Sequence, residues 1–131
     1  MKKVILIILS ATLIVACSSK TTENDSIRNT IREYVEKANS VNSGTDIDEI
    51  TSCEKITFEN DNVYYHHTID ESKVRIELLR GSRELIQEEL INIYKNTYEL
   101  KDLVENVRSI DGKFIYIYTG SITGDTMRFE I

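Results

Sequence analysis

The feature that most limits how this chain can fold is an apolar run at its start, from Val4 to Ala16. Lys2 and Lys3 precede the run. About 13 residues are too few for a helix that crosses the ~30 Å hydrocarbon core of a bilayer. A basic start, a short apolar stretch and a small residue at its end are instead typical of a secretory signal peptide. We therefore exclude residues 1–16 from the predicted fold.

The apolar run ends in the sequence Ile14-Val15-Ala16-Cys17. This ending resembles the lipobox of bacterial lipoproteins. The resemblance implies a diacylglyceryl group on the sulfur of Cys17, cleavage between Ala16 and Cys17, and acylation of the new N-terminus by a fatty acid such as palmitate. Ser18, and not an aspartate, follows the cysteine. In a Gram-negative cell, that pattern implies an outer-membrane lipoprotein that faces the periplasm. Without cleavage, the segment would be a short membrane anchor and Cys17 an ordinary thiol.

The charge of the processed chain limits its partners. Without residues 1–16, about 115 of the 131 residues remain, the size of one domain. Of the 16 basic residues, 14 remain after Lys2 and Lys3 are lost, against 22 acidic residues, so the net charge is −8. An acidic chain without a basic cluster is poorly suited to nucleic acid or to anionic lipid. We expect membrane contact through the lipid on Cys17 only, with residues 17–24 as a lipidated, flexible tether.

The first half of residues 25–131 predicts a helix and a hairpin. Apolar residues recur at helical spacing from Ile27 to Val41. Asp25 or Ser26 can cap the start of this helix, and Gly44 can take the left-handed conformation that ends it. Two alternating stretches, 54–59 and 63–69, then flank the turn Asn60-Asp61-Asn62.

The second half predicts a broken helix and two more strands. Ser72 can cap a helical pattern that continues to about Asn96, with a break near Gly81-Ser82 because glycine is unfavourable within a helix. A short helix over 99–106 follows, and then strands that include 114–118 and 126–131. The order α-ββ-α-ββ predicts an α+β domain: an antiparallel four-stranded sheet with helices packed on one face.

The sequence offers little for catalysis or cofactor binding. His66 and His67 are neighbours in a predicted strand, so their side chains should point to opposite faces and cannot share a metal ion. Cys53 has no evident base, and we expect it to be a small buried residue or an oxidation-prone thiol. No phosphate-binding loop or nucleophile elbow is present in the sequence. We therefore predict no enzymatic activity, no metal site and no cofactor.

Aromatic and aliphatic residues of two strands suggest a surface for a protein partner. Tyrosine suits protein interfaces because its ring is apolar and its hydroxyl is polar. The strand 114–118 is apolar on both faces, which suggests a central strand or one whose outer face meets a partner. The predicted partner surface comprises Tyr64, Tyr116, Tyr118, Ile115 and Ile117. The alternative is that the same tyrosines form ordinary cross-strand pairs.

The layout of the domain resembles the β-rich pilotins of type II secretion. Those lipoproteins have a helix, a hairpin with a motif like Val63-Tyr64-Tyr65-His66-His67-Thr68-Ile69, a long helix, and a final hairpin with a strand like Tyr116-Ile117-Tyr118. The resemblance implies that an apolar groove holds a helix from the C-terminal end of the outer-membrane secretin. Those pilotins also carry a cysteine in the long helix, near the place of Asn96 and Thr97 here, and another after the last strand, so their disulfide is missing from this sequence.

Together these observations predict a membrane-anchored protein-binding module in the cell envelope, of the pilotin-like escort kind. The alternative is an exclusion or immunity lipoprotein, encoded by a phage or plasmid, that blocks a receptor or a channel. In either case we expect a protein partner in the envelope, and the sequence leaves the oligomeric state open.

Overall fold

A computed structural model of the chain describes the backbone from Lys2 and the side chains from Thr22 to Ile131. The predicted cleavage site between Ala16 and Cys17 lies outside the described side chains, as does most of the predicted tether. Within the part that is described, no helix is long and apolar enough to cross a membrane.

The domain has the predicted α+β architecture, with one four-stranded sheet. The strands are β1 (Thr51–Glu59), β2 (Asn62–Ile69), β3 (Phe114–Gly120) and β4 (Thr126–Glu130), and they lie in the order β1-β2-β3-β4. The helices are α1 (Lys2–Asn42), α2 (Ile76–Leu79), α3 (Arg83–Asn96) and α4 (Lys101–Ser109), with single 3-10 turns at Arg80–Ser82 and Tyr98–Leu100.

The prediction of a fully antiparallel sheet is wrong at one pair of strands. β1–β2 and β3–β4 are antiparallel hairpins, but β2 and β3 run parallel, with Val63 opposite Phe114 and Ile69 opposite Gly120. The chain between them, residues 70–113, carries the helices α2, α3 and α4. Such a crossover returns the chain to the end of the sheet where β2 began, and this makes the next strand parallel.

The helices pack on one face of the sheet, as predicted, in two apolar clusters. The first joins α1 and α4 to β1, β2 and the start of β3, and includes Ile31, Ile56 and Val107. The second lies beneath α2 and α3 and includes Leu90 and Phe129. The face that these helices cover is called the inner face below. The two clusters meet at Tyr65 and Tyr94, which pack against both.

The turn of the first hairpin and its link to α1 follow from the sequence. Asn60 and Asp61 have φ values of +51° and +66°, as predicted for this turn. The Asp61 carboxylate accepts hydrogen bonds from Arg28 Nε at 2.9 Å and from a second guanidinium nitrogen of Arg28 at 3.1 Å. Asp25 and Ser26 were predicted to cap the helix, but they lie within α1, where Asp25 forms an ion pair with Arg28 instead.

A β-bulge sets the inner face of β1. The strand begins at Thr51, three residues before the predicted start, and its register shifts between Cys53 and Lys55. The extra residue puts Cys53 and Ile56 on the same face although they are three positions apart. Gly44, with φ of +78°, donates a backbone hydrogen bond to Cys53, so the loop after α1 covers the edge of β1.

The helical segment between β2 and β3 is interrupted where predicted, but its start is capped by a different residue. The 3-10 turn Arg80–Ser82 separates α2 from α3 at the predicted break. The helical part begins at Ile76, and Ser72 does not cap it, because the Ser72 hydroxyl donates to Asp70. The Glu71 carboxylate accepts the Ile76 N–H instead, at 3.2 Å. α4 extends to Ser109, so β3 begins only at Phe114.

Candidate functional site

A cavity lies between α3, the loop 43–50 and the inner face of the sheet. It has a volume of about 470 Å³. A neighbouring cavity of about 200 Å³ shares Asp48, Glu89 and Tyr118 with it and extends towards Phe129. The two cavities together are called the inner groove. Its floor comprises Cys53, Tyr65, His67, Tyr116 and Tyr118, and its walls include Ile47 and Asp48 on the loop side and Ile86, Glu89, Leu90 and Ile93 on α3.

The floor of the inner groove is aromatic because of strand register. His67 on β2 lies opposite Cys53 on β1 and Tyr118 on β3. In the next row, Tyr65 lies opposite Tyr116, and their rings stack with centroids 4.5 Å apart. The His67 and Tyr118 rings meet edge to face at 5.3 Å. The alternation of the sequence therefore delivers four rings to one surface.

The tyrosine hydroxyls beneath the groove are held in a hydrogen-bonded group. Tyr94 of α3 and Tyr116 share a hydrogen bond between their hydroxyls, so α3 is fastened to the sheet at one end of the groove. Burial raises the pKa of Tyr65 to about 12, and it also raises the pKa values of Tyr94 and Tyr116. All three remain uncharged at physiological pH, because ionisation would leave a phenolate in an apolar setting.

His67 is a buried polar group without a complete set of partners. Only 8% of the residue is exposed, and its Nδ1 atom has no hydrogen-bond partner. Burial, followed by the neighbouring His66, lowers the pKa of His67 to about 4, so the ring is neutral at physiological pH. A buried polar atom without a partner costs stability, so the Nδ1 atom of His67 calls for an explanation.

The histidine pair is divided between the two faces, as the sequence predicted. His66 lies on the outer face, where its ring stacks with that of Tyr64 at 6.2 Å. Burial lowers the pKa of His66 as well. Within the part of the chain whose side chains are described, no three His, Cys, Asp or Glu side chains are grouped as they would be to hold a metal ion.

Cys53 is buried rather than activated. Only 3% of the residue is exposed, and burial raises the pKa of its thiol. The thiolate is the nucleophilic form, so a raised pKa disfavours nucleophilic chemistry at neutral pH. Cys53 and His67 are cross-strand neighbours, but the neutral imidazole and the protonated thiol lack the charge separation of a catalytic pair.

Two carboxylates stand above the aromatic floor. The Asp48 Oδ1 atom accepts the backbone N–H groups of Ile50 and Thr51, which fixes the carboxylate at the loop side of the groove. Glu89 is an exposed residue of α3 on the opposite wall. Burial raises the pKa of Tyr118 to about 12, and the negative charges of Asp48 and Glu89 add to this rise. Both carboxylates are therefore close enough to act on the same ring.

The walls of the groove present apolar side chains to solvent. Ile47 on the loop is 52% exposed and Ile93 on α3 is 46% exposed. Of the 14 residues of α3, only Leu90 is buried. An amphipathic helix of this length normally buries a full stripe against its sheet, so α3 leaves much of its apolar face free to contact another molecule.

The predicted partner surface is divided by the sheet. Tyr116 and Tyr118 lie in the inner groove. Tyr64, Ile115 and Ile117 lie on the outer face, where Ile115 is only 1% exposed and the other two are half-buried. Tyr116 and Tyr118 of the groove belong to the predicted partner surface, whereas Tyr65 and the acidic and aliphatic walls do not. The helical spacing of Ile86, Leu90 and Ile93 was a signal for one wall, but Asp48 and Glu89 had none.

Comparisons with known proteins identify a shared fold but no family. No described protein family and no curated protein matches this sequence. A solved structure of a presumed secreted protein from Pseudomonas aeruginosa is similar, with a TM-score of 0.57 and 20% sequence identity. The match covers 76% of this chain and 88% of that one. At this level of identity the likeness establishes a shared fold.

Proposed function

We propose that this chain is a lipid-anchored binding module of the cell envelope, and that the inner groove holds an apolar segment of a protein partner. The observation that carries the proposal is the groove itself, which has an aromatic floor and exposed aliphatic walls at Ile47 and Ile93. Its main cavity of about 470 Å³ falls within the usual size range of ligand sites.

The shape and composition of the groove favour an amphipathic helix as the bound segment. Helices bind in grooves by inserting apolar residues spaced three and four positions apart, and the remaining polar face stays in water. α3 forms one wall, and it contacts the sheet through Leu90, through the Tyr94 hydroxyl and through Arg83, which donates to the Arg128 carbonyl and lies over the Phe129 ring. Because only Leu90 of α3 is buried, we expect this wall to adjust to an incoming helix. A pilotin-like escort of a secretion-system outer-membrane component is the specific form of this proposal.

The location in the envelope is supported by the start of the sequence. The segment that ends in Ile14-Val15-Ala16-Cys17 resembles a lipobox, and the similar solved structure is described as that of a presumed secreted protein. Lipid on Cys17 would hold the module at a bilayer, where each buried CH₂ group contributes about 0.8 kcal/mol. The partner is then expected to be another protein of the same membrane.

A binding role rather than catalysis fits the chemistry of the floor. Cys53 carries a protonated thiol and His67 a neutral ring, and both are almost completely buried. Neither group is prepared to attack a substrate or to transfer a proton at neutral pH. Aromatic rings and unpaired polar atoms can instead contact a bound partner without taking part in a reaction.

Site-specific photocrosslinking in living cells tests the proposal. A benzophenone side chain placed at Ile47 or Ile93 would face a molecule bound in the groove, whereas one at Ile122 is a matched control, because Ile122 is 64% exposed and lies outside the groove. We expect one dominant crosslinked product, of the same mass, from both groove positions and none from Ile122. A further variant, with the benzophenone side chain at Ile117, tests whether a partner binds the outer face of the sheet.

Two results would contradict the proposal. If the groove positions gave the same set of weak products as Ile122, the groove would have no specific partner. If Ile117 alone gave a dominant product, the partner would bind the outer face, as Tyr64, Ile115 and Ile117 allow.

A further inference from the structure

The acidic side chains at the groove have no cation of their own. Among the side chains from Thr22 onwards, neither Asp48 nor Glu89 forms an ion pair with a lysine or arginine. Asp46 also lines the cavity, on the same loop as Asp48. The processed chain is itself acidic, so these carboxylates stand in a field that attracts positive charge.

The floor beneath the carboxylates suits a cation as well. The face of a tyrosine ring attracts a lysine or arginine within about 6 Å, and the attraction grows when water is displaced. Tyr118 lies between the two walls, and both Asp48 and Glu89 act on it electrostatically. His67, with its unpartnered Nδ1 atom and 8% exposure, lies beside Tyr118 on the same floor.

An exposed group of carboxylates is usually a solvated surface, but here it borders an apolar cavity of about 470 Å³. A partner segment with only apolar side chains would fill the cavity but leave both carboxylates partly desolvated without compensation. A segment that also carries one positive charge removes that cost.

We propose that the inner groove selects an amphipathic helix that carries a lysine or arginine, with the cation between Asp48 and Glu89 above Tyr118 and the apolar side chains on the floor and walls. This inference rests on the proposed function, since it names the chemistry of the segment that the groove holds. It gives the groove a means to choose one segment among the many amphipathic helices of an envelope.

Binding of two matched peptides to the full chain in nanodiscs tests the inference. Phosphatidylcholine nanodiscs carry no net charge, and empty discs give the background. One labelled amphipathic peptide has leucines on one face and a single lysine beside them, and its match has glutamate in place of the lysine. We expect the lysine peptide to bind about tenfold more tightly at low ionic strength, and the difference to shrink in high salt.

Two double variants assign the effect to the groove. Asp48→Asn with Glu89→Gln removes both charges, and an asparagine side-chain oxygen can still accept the N–H groups of Ile50 and Thr51. Glu84→Gln with Glu88→Gln makes the same change in net charge on exposed residues of α3 that do not line the groove. The first pair should abolish the preference for lysine, and the second should leave it intact.

The possible failures are distinguishable. Equal binding of the two peptides, or an equal effect of both double variants, overturns the inference but leaves the groove as a binding site. No binding of either peptide overturns the proposed function as well. Self-association of the chain that is lost in Ile93→Asp would assign the groove to a second copy and would also overturn the inference.

Discussion

At the scale of single residues, Glu71 shows how one side chain can organise a crossover. Only 4% of the residue is exposed. One carboxylate oxygen accepts the N–H groups of Ile122 and Thr123 and the Thr123 hydroxyl, and the other accepts the N–H of Ile76. Glu71 therefore ties the start of α2 to the loop between β3 and β4. Gly120 makes room for it, since a Cβ atom there would lie 2.1 Å from the carboxylate.

The hydrogen bonds to Glu71 predict a dependence of stability on pH. Backbone N–H donors, with that of Thr123 first, hold the pKa of Glu71 down to about 2, against an ordinary value of 4.5. Because the folded state prefers the ionised form, the carboxylate stabilises the fold above about pH 4.5, and this contribution is lost as the pH falls towards 2. Glu71→Gln should lower the thermal unfolding midpoint at pH 7 and weaken its fall in acid.

Circular dichroism melts between neutral and acidic pH measure both effects. Glu77→Gln is the control, because Glu77 is an exposed residue of α2 next to the same network. An equal fall in midpoint for the two variants at pH 7 would show that Glu71 has no special part in stability.

Glu71 also marks a limit of sequence analysis at this scale. An acid between Asp70 and Ser72 has the pattern of a solvated turn, and its partners at 122 and 123 lie about 50 positions away in the sequence. The same limit applies to Asp48 and Glu89, which line the same groove only because a loop and a helix approach the same strand. Local patterns report a residue's neighbours in sequence, whereas these roles depend on closure of a long crossover.

At the scale of helices and strands, the features that the sequence predicts correctly are those that depend on residues close together in the chain. The alternation in 63–69 placed Val63 and His67 on the inner face correctly, because side chains of a strand alternate by geometry. The break at Gly81-Ser82 was also correct. The bulge after Cys53 was not predictable, because one extra residue leaves no signature in the composition of a strand.

The loose packing of α3 predicts unequal effects of core truncation. Leu90 is the one buried residue of α3 and lines the groove, so part of its surroundings is already open. Ile31 of α1 is completely buried within the first apolar cluster. The cost of truncation rises with the cavity left behind, so Leu90→Ala should cost about 2 kcal/mol and Ile31→Ala about 4 kcal/mol.

Urea unfolding of the two variants measures these free energies. Far-ultraviolet circular dichroism of the folded variants checks that the helices are retained. A cost for Leu90→Ala that equals or exceeds that of Ile31→Ala would mean that α3 is packed as tightly as α1, and the groove would then be less adaptable than we propose.

At the scale of the whole molecule, the parallel pairing of β2 and β3 creates the site. It places Tyr65, His67, Tyr116 and Tyr118 in adjacent rows on the inner face. It also sends the crossover over that face, so α3 comes to lie opposite the loop 43–50. The sequence predicted the strands and their faces but not this direction, although a long helical segment between two strands is the usual signal of a parallel crossover. The groove is thus a product of topology more than of any motif.

The lipid anchor and the folded domain should be independent of each other. Ile27 is the first described side chain that packs against the core, so the folded part should not depend on Cys17 or its lipid. Cys17→Ser should abolish incorporation of labelled palmitate and leave the precursor uncut, yet keep the thermal midpoint of the domain. Palmitate labelling and melts of the purified chain measure the two effects separately. Label retained on the variant would refute the anchor, whereas lost label with a lower midpoint would mean that the lipidated segment is part of the fold.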